Sequence, residues 1–228
     1  MRRAGAARAF HWFTAAVVVG ALVLQVVVLV RDGVVPMPTR MLRLASYFTI
    51  QSNLLVACSA VTLALRPDRD GALWRVLRLD ALVGITVTGV VYVTVLAPLQ
   101  DLAGGAKVAD AGLHYLSPVL AVAGWLAYGP RPRVTAATVH WALAWPIAWF
   151  AYTLVHGAIG GWYPYPFVDV GVLGYAVVVR NCAVVTGLLL GVAGAYLWGD
   201  HRLGVAPGPA LAGARLHAHA RGPRRPQG

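Results

Sequence analysis

The chain has 228 residues, of which 59% are hydrophobic and only 12% charged, and its mean hydropathy is +0.67. Soluble domains carry about 25% charge, so a single water-soluble globule is excluded and long apolar runs predict an all-α integral membrane protein. The net charge of +11 does not point to nucleic acid, because the cations, all Arg except Lys107, sit between the apolar runs and in the tails.

From the N-terminus, Arg2, Arg3 and Arg8 precede an apolar run from Phe10 to Val30. The run exceeds the hydrophobic stretch of a signal peptide and no small-residue cleavage motif follows it, so it reads as a first span. A bilayer core of about 30 Å is crossed by about 20 helical residues. Segments of that kind lie near 9–30, 44–65, 79–98, 112–128, 135–156 and 174–198. They predict a six-transmembrane-helix bundle, one domain over residues 1–202. Breakers mark the ends at Arg66-Pro67-Asp68, Ala97-Pro98, Gly129-Pro130 and Gly199-Asp200. The fourth segment is the weakest, being short and carrying His114, Ser117 and Pro118. Residues 203–228, rich in Pro, Gly, Ala and Arg, predict a disordered basic tail.

Orientation follows from the cations. Fourteen Lys and Arg fall in the N-terminus, 66–78, 129–134 and the tail, against four in 31–43 and 99–111 and none in 157–173. The positive-inside rule then puts both termini in the cytoplasm. Arg, Ala and Val bias suggests a high-GC bacterial sequence, hence a multi-pass protein of the bacterial cytoplasmic membrane. Cys58 and Cys182 lie inside apolar segments without metal or redox spacing, and the seven His are scattered. No metal and no cofactor are expected.

Polar residues inside spans are functional candidates, because hydrocarbon penalises them. The second segment carries Ser46, Thr49 and Asn53 on one stripe with Ser52 beside it; the fourth begins with His114 and Ser117; the sixth holds Arg180 and Asn181 about two turns in. The connection between the fifth and sixth reads Gly160-Gly161-Trp162-Tyr163-Pro164-Tyr165-Pro166-Phe167. All converge on the outer leaflet. Each has a plainer explanation: Thr49 bonding back along its helix, His114 at the interface, Arg180 snorkelling, the Trp and Tyr forming an aromatic belt. A stripe of Trp141, Trp145, Trp149, Tyr152 and His156 is read as packing or lipid contact. The plainer explanations leave unexplained why the costliest residues share one depth.

The string Tyr47-Phe48-Thr49-Ile50-Gln51-Ser52-Asn53, with Leu113-His114-Tyr115 and Gly161-Trp162-Tyr163-Pro164-Tyr165-Pro166-Phe167, resembles a group of uncharacterised actinobacterial six-span membrane proteins over essentially residues 9–200. Three shorter motifs resemble the androgen-induced and ADTRP-like membrane proteins, whose eukaryotic members are threonine hydrolases of fatty acid esters. That resemblance implies an essential Thr and His, here Thr49 and His114, and an aromatic motif at Tyr165-Pro166-Phe167. The second His and the Asn that accompany the family's His are missing here. No carboxylate is obviously placed to orient His114; Asp110, one turn earlier, is the single candidate.

The implied function is a membrane-embedded hydrolase of lipid esters, with Thr49 as nucleophile and His114 as base. Asn53, Ser52 or Tyr47 would donate to the oxyanion, Arg180, facing the Thr49 helix, would hold a carboxylate or phosphate, and Tyr165 and Phe167 would contact substrate. Membrane lipids and the lipid ester are the expected partners. The alternatives are a non-catalytic protein that binds or transports lipid or small solutes with the same cluster, and a structural subunit.

Overall fold

The computed structural model describes residues 2–31 and 34–204, so all but the first two residues of the expected 203–228 tail lie outside the described residues. Helices and short connections make up the described residues, with no strand among them. The helices are α1 (Arg2–Arg31), α2 (Met37–Ser46), α3 (Phe48–Leu65), α4 (Ala72–Val91), α5 (Gly104–Ala111), α6 (Ser117–Tyr128), α7 (Ala136–Ala142), α8 (Ala144–Gly160) and α9 (Val170–Arg202).

Among the described residues, five stretches are long and apolar enough to cross a membrane: Arg3–Arg31, Phe48–Leu65, Ala72–Leu99, Ala136–Gly160 and Val170–Arg202. The expected fourth span is not among them. Its residues continue α5 through a π turn at Gly112–Leu116 into α6, a rod divided in three that carries Lys107, Asp110, His114 and Ser117. Pro118 explains the division. It has no N–H to offer the carbonyl of His114, four residues back, and the N–H of Ser117 reaches Gly112 instead, the wider π spacing. A second π turn, Tyr92–Leu96, ends α4 ahead of Pro98, with the N–H of Ala97 bonded to Tyr92.

Other boundaries differ in instructive ways. The expected 44–65 span is two helices, parted at Tyr47, whose backbone is extended. Such a break strands carbonyls, and buried ones need partners. Trp149 Nε1 donates to Ser46 O at 2.9 Å and Gln51 Nε2 to Ala45 O at 3.0 Å. Trp145 Nε1 in turn holds the Gln51 carbonyl oxygen at 2.9 Å, and its ring stacks on Phe48 at 4.5 Å. Part of the α8 aromatic stripe therefore braces the break. Trp141 remains exposed. The third segment begins at Ala72, so Arg75 and Arg78, counted with the preceding loop, lie on α4. Arg78 is buried and donates to Ser59 Oγ at 2.8 Å.

The core centres on α3, which packs most extensively against α1 and α4. Leu63, Leu79, Leu82 and Ile85 are essentially inaccessible within it. Close packing of side chains contributes attraction between these helices. Gly112 shows how tight it is: a Cβ there would lie 2.5 Å from the Ala21 Cβ on α1. At Gly157 a Cβ would meet the Tyr163 ring at 2.0 Å, because the chain after α8 folds back over that helix. This close approach lays the 161–169 connection across the end of the bundle and carries Tyr165 inward.

Candidate functional site

Thr49 is the second residue of α3, at the helix start, where backbone N–H groups have no partner within the helix. Its N–H is bonded instead to the Tyr165 hydroxyl, at 3.1 Å. The same hydroxyl lies 3.1 Å from Thr49 Oγ1, and His114 Nε2 lies 3.3 Å from Oγ1 on the other side. Thr49 and Tyr165 are buried, while the His114 side chain retains 15% exposure.

His114 sits on the π turn between α5 and α6, where the widened backbone turns its ring toward α3. Asp110, one turn earlier, places Oδ1 2.8 Å from His114 Nδ1, and its backbone carbonyl is 3.3 Å from the same nitrogen. The other carboxylate oxygen accepts a 2.6 Å hydrogen bond from the Tyr92 hydroxyl. The Tyr92 ring stacks on the imidazole with centroids 3.9 Å apart. Tyr92 comes from the other π turn, so both irregular turns face this site; π turns recur at functional sites because they re-aim side chains that a regular helix would place elsewhere.

With the His114 imidazole neutral, these contacts set the direction of each proton. Asp110 accepts Nδ1–H, which leaves Nε2 as acceptor for the Thr49 hydroxyl. Having one proton, Thr49 cannot also donate to Tyr165, so Tyr165 donates to Thr49 Oγ1. Burial pushes the Tyr165 hydroxyl up to about 12, so it keeps that proton at neutral pH. The chain runs one way, from Tyr165 through Thr49 and His114 to Asp110, with Tyr92 closing the far end.

The remaining sequence candidates divide. Asn53 is buried and donates to the carbonyls of Thr49, at 2.9 Å, and Leu113, at 3.2 Å. It ties α3 to the turn that carries His114. Ser52 bonds back to Phe48 O at 2.8 Å and also packs inward. Tyr47 lines the adjoining cavity and meets the Tyr165 ring edge-on at 5.5 Å. Phe167 stacks on Tyr165 at 5.2 Å. Arg180 is not brought to the site. It is exposed on α9, with only Asn181 Oδ1 at 3.5 Å, and does not face the Thr49 helix; Asn181 instead caps the carbonyl of Phe167 at 2.9 Å.

A cavity of about 390 Å³ adjoins the pair, lined by Thr49, His114, Asp110, Tyr47, Gln25 and Gln100 among others. Among the described residues no group of three His, Cys, Asp or Glu side chains is placed to hold a metal. A hydroxyl in line with an imidazole and a carboxylate, beside a cavity walled mostly by apolar residues, is suited to acyl transfer. No family model matches the chain, and no curated protein or solved structure is found to be similar to it.

Proposed function

We propose that this chain is a membrane-embedded hydrolase of lipid esters of the fatty acid ester class, with Thr49 as nucleophile and His114 as general base. The observation that carries the reading is the one-way hydrogen-bond chain through Thr49, His114 and Asp110 at the edge of a cavity. The resemblance of the Thr49, His114 and Tyr165-Pro166-Phe167 motifs to the androgen-induced and ADTRP-like hydrolases supports it.

In this mechanism Thr49 Oγ attacks the ester carbonyl as His114 Nε2 takes its proton. Asp110 stabilises the imidazolium that forms and holds its tautomer. Once Oγ is bonded to carbon, the Tyr165 hydroxyl and the Thr49 N–H are the donors nearest the oxyanion. The positive end of α3 points at the same place. His114 then returns the proton to the leaving alkoxide, and the alcohol departs. Water enters, gives its proton to His114 and attacks the acyl-threonine; Thr49 leaves with that proton and the carboxylic acid is released.

The same reading includes topology. The rod Gly104–Tyr128 would be a sixth span of about 37 Å at 1.5 Å per residue, with both termini cytoplasmic and the site just below the outer interface. There the acyl chain stays in hydrocarbon while the ester meets water.

Turnover of 4-nitrophenyl fatty esters by the purified protein in nanodiscs tests this. Thr49→Ala and His114→Ala should each lower kcat by about 10³-fold or more while the protein stays monodisperse. A Thr49→Ala protein within threefold of the unaltered one would end the hydrolase reading and favour passive lipid binding.

A further inference from the structure

Thr49 stands on a partition between two compartments. On one side is the cavity of about 390 Å³, which contains all the polar machinery: His114, Asp110 and Tyr92 line it, together with Gln25 and Gln100. On the other side is a slot of about 40 Å³ between α4, α8 and α9, lined by Phe48, Val87, Trp149, Val185 and Leu189 among others. Only Thr49, Tyr165 and Leu96 border both. His114 borders the larger one alone.

That asymmetry fixes which half of an ester goes where. His114 must return a proton to the leaving alkoxide, so the alcohol oxygen has to lie on the imidazole side of Thr49. The carbonyl carbon is bonded to Thr49 Oγ at that moment. Of its two remaining substituents, the oxyanion faces the Tyr165 hydroxyl and the Thr49 N–H, and the acyl chain then points across the partition.

We propose that the slot between α4, α8 and α9 is an acyl-chain site, and that the larger cavity receives the leaving alcohol. This rests on the hydrolase reading above. The slot's deep wall is buried at Val87 and Leu189, while Phe150, Phe167 and Val185 at its rim are half-buried. A cavity that holds one water-sized sphere measures about 10–15 Å³, so the slot takes roughly three methylenes in a row. Beyond them the chain passes the rim between α8 and α9 and continues into lipid. The acyl half is therefore required to be unbranched next to the carbonyl but is free in total length. The alcohol half, with ten times the room and amide and phenol groups to meet, can be bulky and polar.

The probes are 4-nitrophenyl acetate, octanoate and 2,2-dimethyloctanoate, with the unaltered protein, Val185→Trp and Phe150→Trp at the slot rim, and Val28→Trp in the larger cavity. The unaltered protein should hydrolyse octanoate at least tenfold faster than its dimethyl analogue after both are divided by their alkaline hydrolysis rates. Each rim variant should lower the octanoate-to-acetate ratio of kcat/KM by tenfold or more, and Val28→Trp should leave that ratio within twofold. Using a ratio removes any loss of folded protein from the comparison, and two rim variants guard against one that fails to fold. A ratio that holds in both rim variants and falls in Val28→Trp would put the acyl chain in the larger cavity and overturn the assignment, with hydrolysis itself intact. No turnover of any ester by the unaltered protein would instead remove the hydrolase reading, and the acyl site with it.

Discussion

Asp110 meets two demands at once, one for each carboxylate oxygen. Oδ1 takes the imidazole N–H and Oδ2 takes the Tyr92 hydroxyl, so the carboxylate is held in one orientation and the tautomer of His114 with it. In the proposed hydrolase, Asp110→Asn would let the side chain donate to Nδ1, leaving the proton on the wrong nitrogen. We expect kcat to fall about 10²–10⁴-fold with KM little changed. Tyr92→Phe removes only the outer bond and should cost less than about tenfold. Equal losses from the two, or loss in KM alone, would place Asp110 outside the catalytic chain. Thr49→Ser keeps the hydroxyl and should keep measurable turnover where Thr49→Ala does not. Thr49 and His114 were legible as two of several polar residues expected at one depth, where lipid penalises them, and the motif resemblance singled them out as a pair. Asp110 was visible only as a neighbour at i−4, and Tyr92 not at all, since nothing in the sequence says which aromatic of a span faces the bundle. Arg180 failed for the same reason. Depth can be counted along a helix, whereas azimuth depends on packing, and its helix turns it outward.

At the scale of elements, the site depends on departures from regular helix. The break at Tyr47 places Thr49 at a helix start, and the two π turns aim Tyr92 and His114 at it. Five of the six expected apolar stretches were readable from hydropathy, because a bilayer's thickness sets the length to look for. The irregular turns were not. Pro98 and Pro118 signal that a helix is disturbed, but whether the chain kinks, stops or widens is decided by which neighbour takes the freed carbonyls. Asn53 is such a neighbour. It is fully buried and its amide joins the Thr49 and Leu113 carbonyls across two elements. Asn53→Ala should lower stability by about 1–3 kcal/mol through the buried carbonyls left unpaired, read from unfolding in detergent. It should also lower kcat, because the distance between Thr49 and His114 is held partly through it. A variant with normal turnover and a lowered midpoint would show that Asn53 supports the fold without setting that distance.

At the scale of the whole molecule, the two ends of the bundle differ in chemistry. The end with the α2–α3 break carries the aromatic connection and the reacting groups. The opposite end is held by charge. Asp70 pairs with Arg75 at 2.6 Å and Arg133 at 2.8 Å, drawing the loop before α4 to the loop after α6. The hydrogen bond from Arg75 holds the Asp70 carboxyl well below the usual carboxylate range. Asp200, fully buried near the end of α9, accepts from the N–H of Val134 at 2.7 Å and also from that of Arg133. These pairings lower the net charge there but leave the count of Lys and Arg, the quantity that sets insertion, strongly one-sided. The proposed orientation, both termini in the cytoplasm, follows from that count. A reporter that is active only outside the cytoplasm should therefore give no signal when fused after residue 200, and a strong one when inserted near Gly161, at the exposed start of the aromatic connection. The two fusions are expected to be opposite because α9 runs from one end to the other. Signal from the first and none from the second would turn the whole bundle over. Thr49 and His114 would then face the inner leaflet, and a hydrolase at this site would draw its esters from the cytoplasmic side.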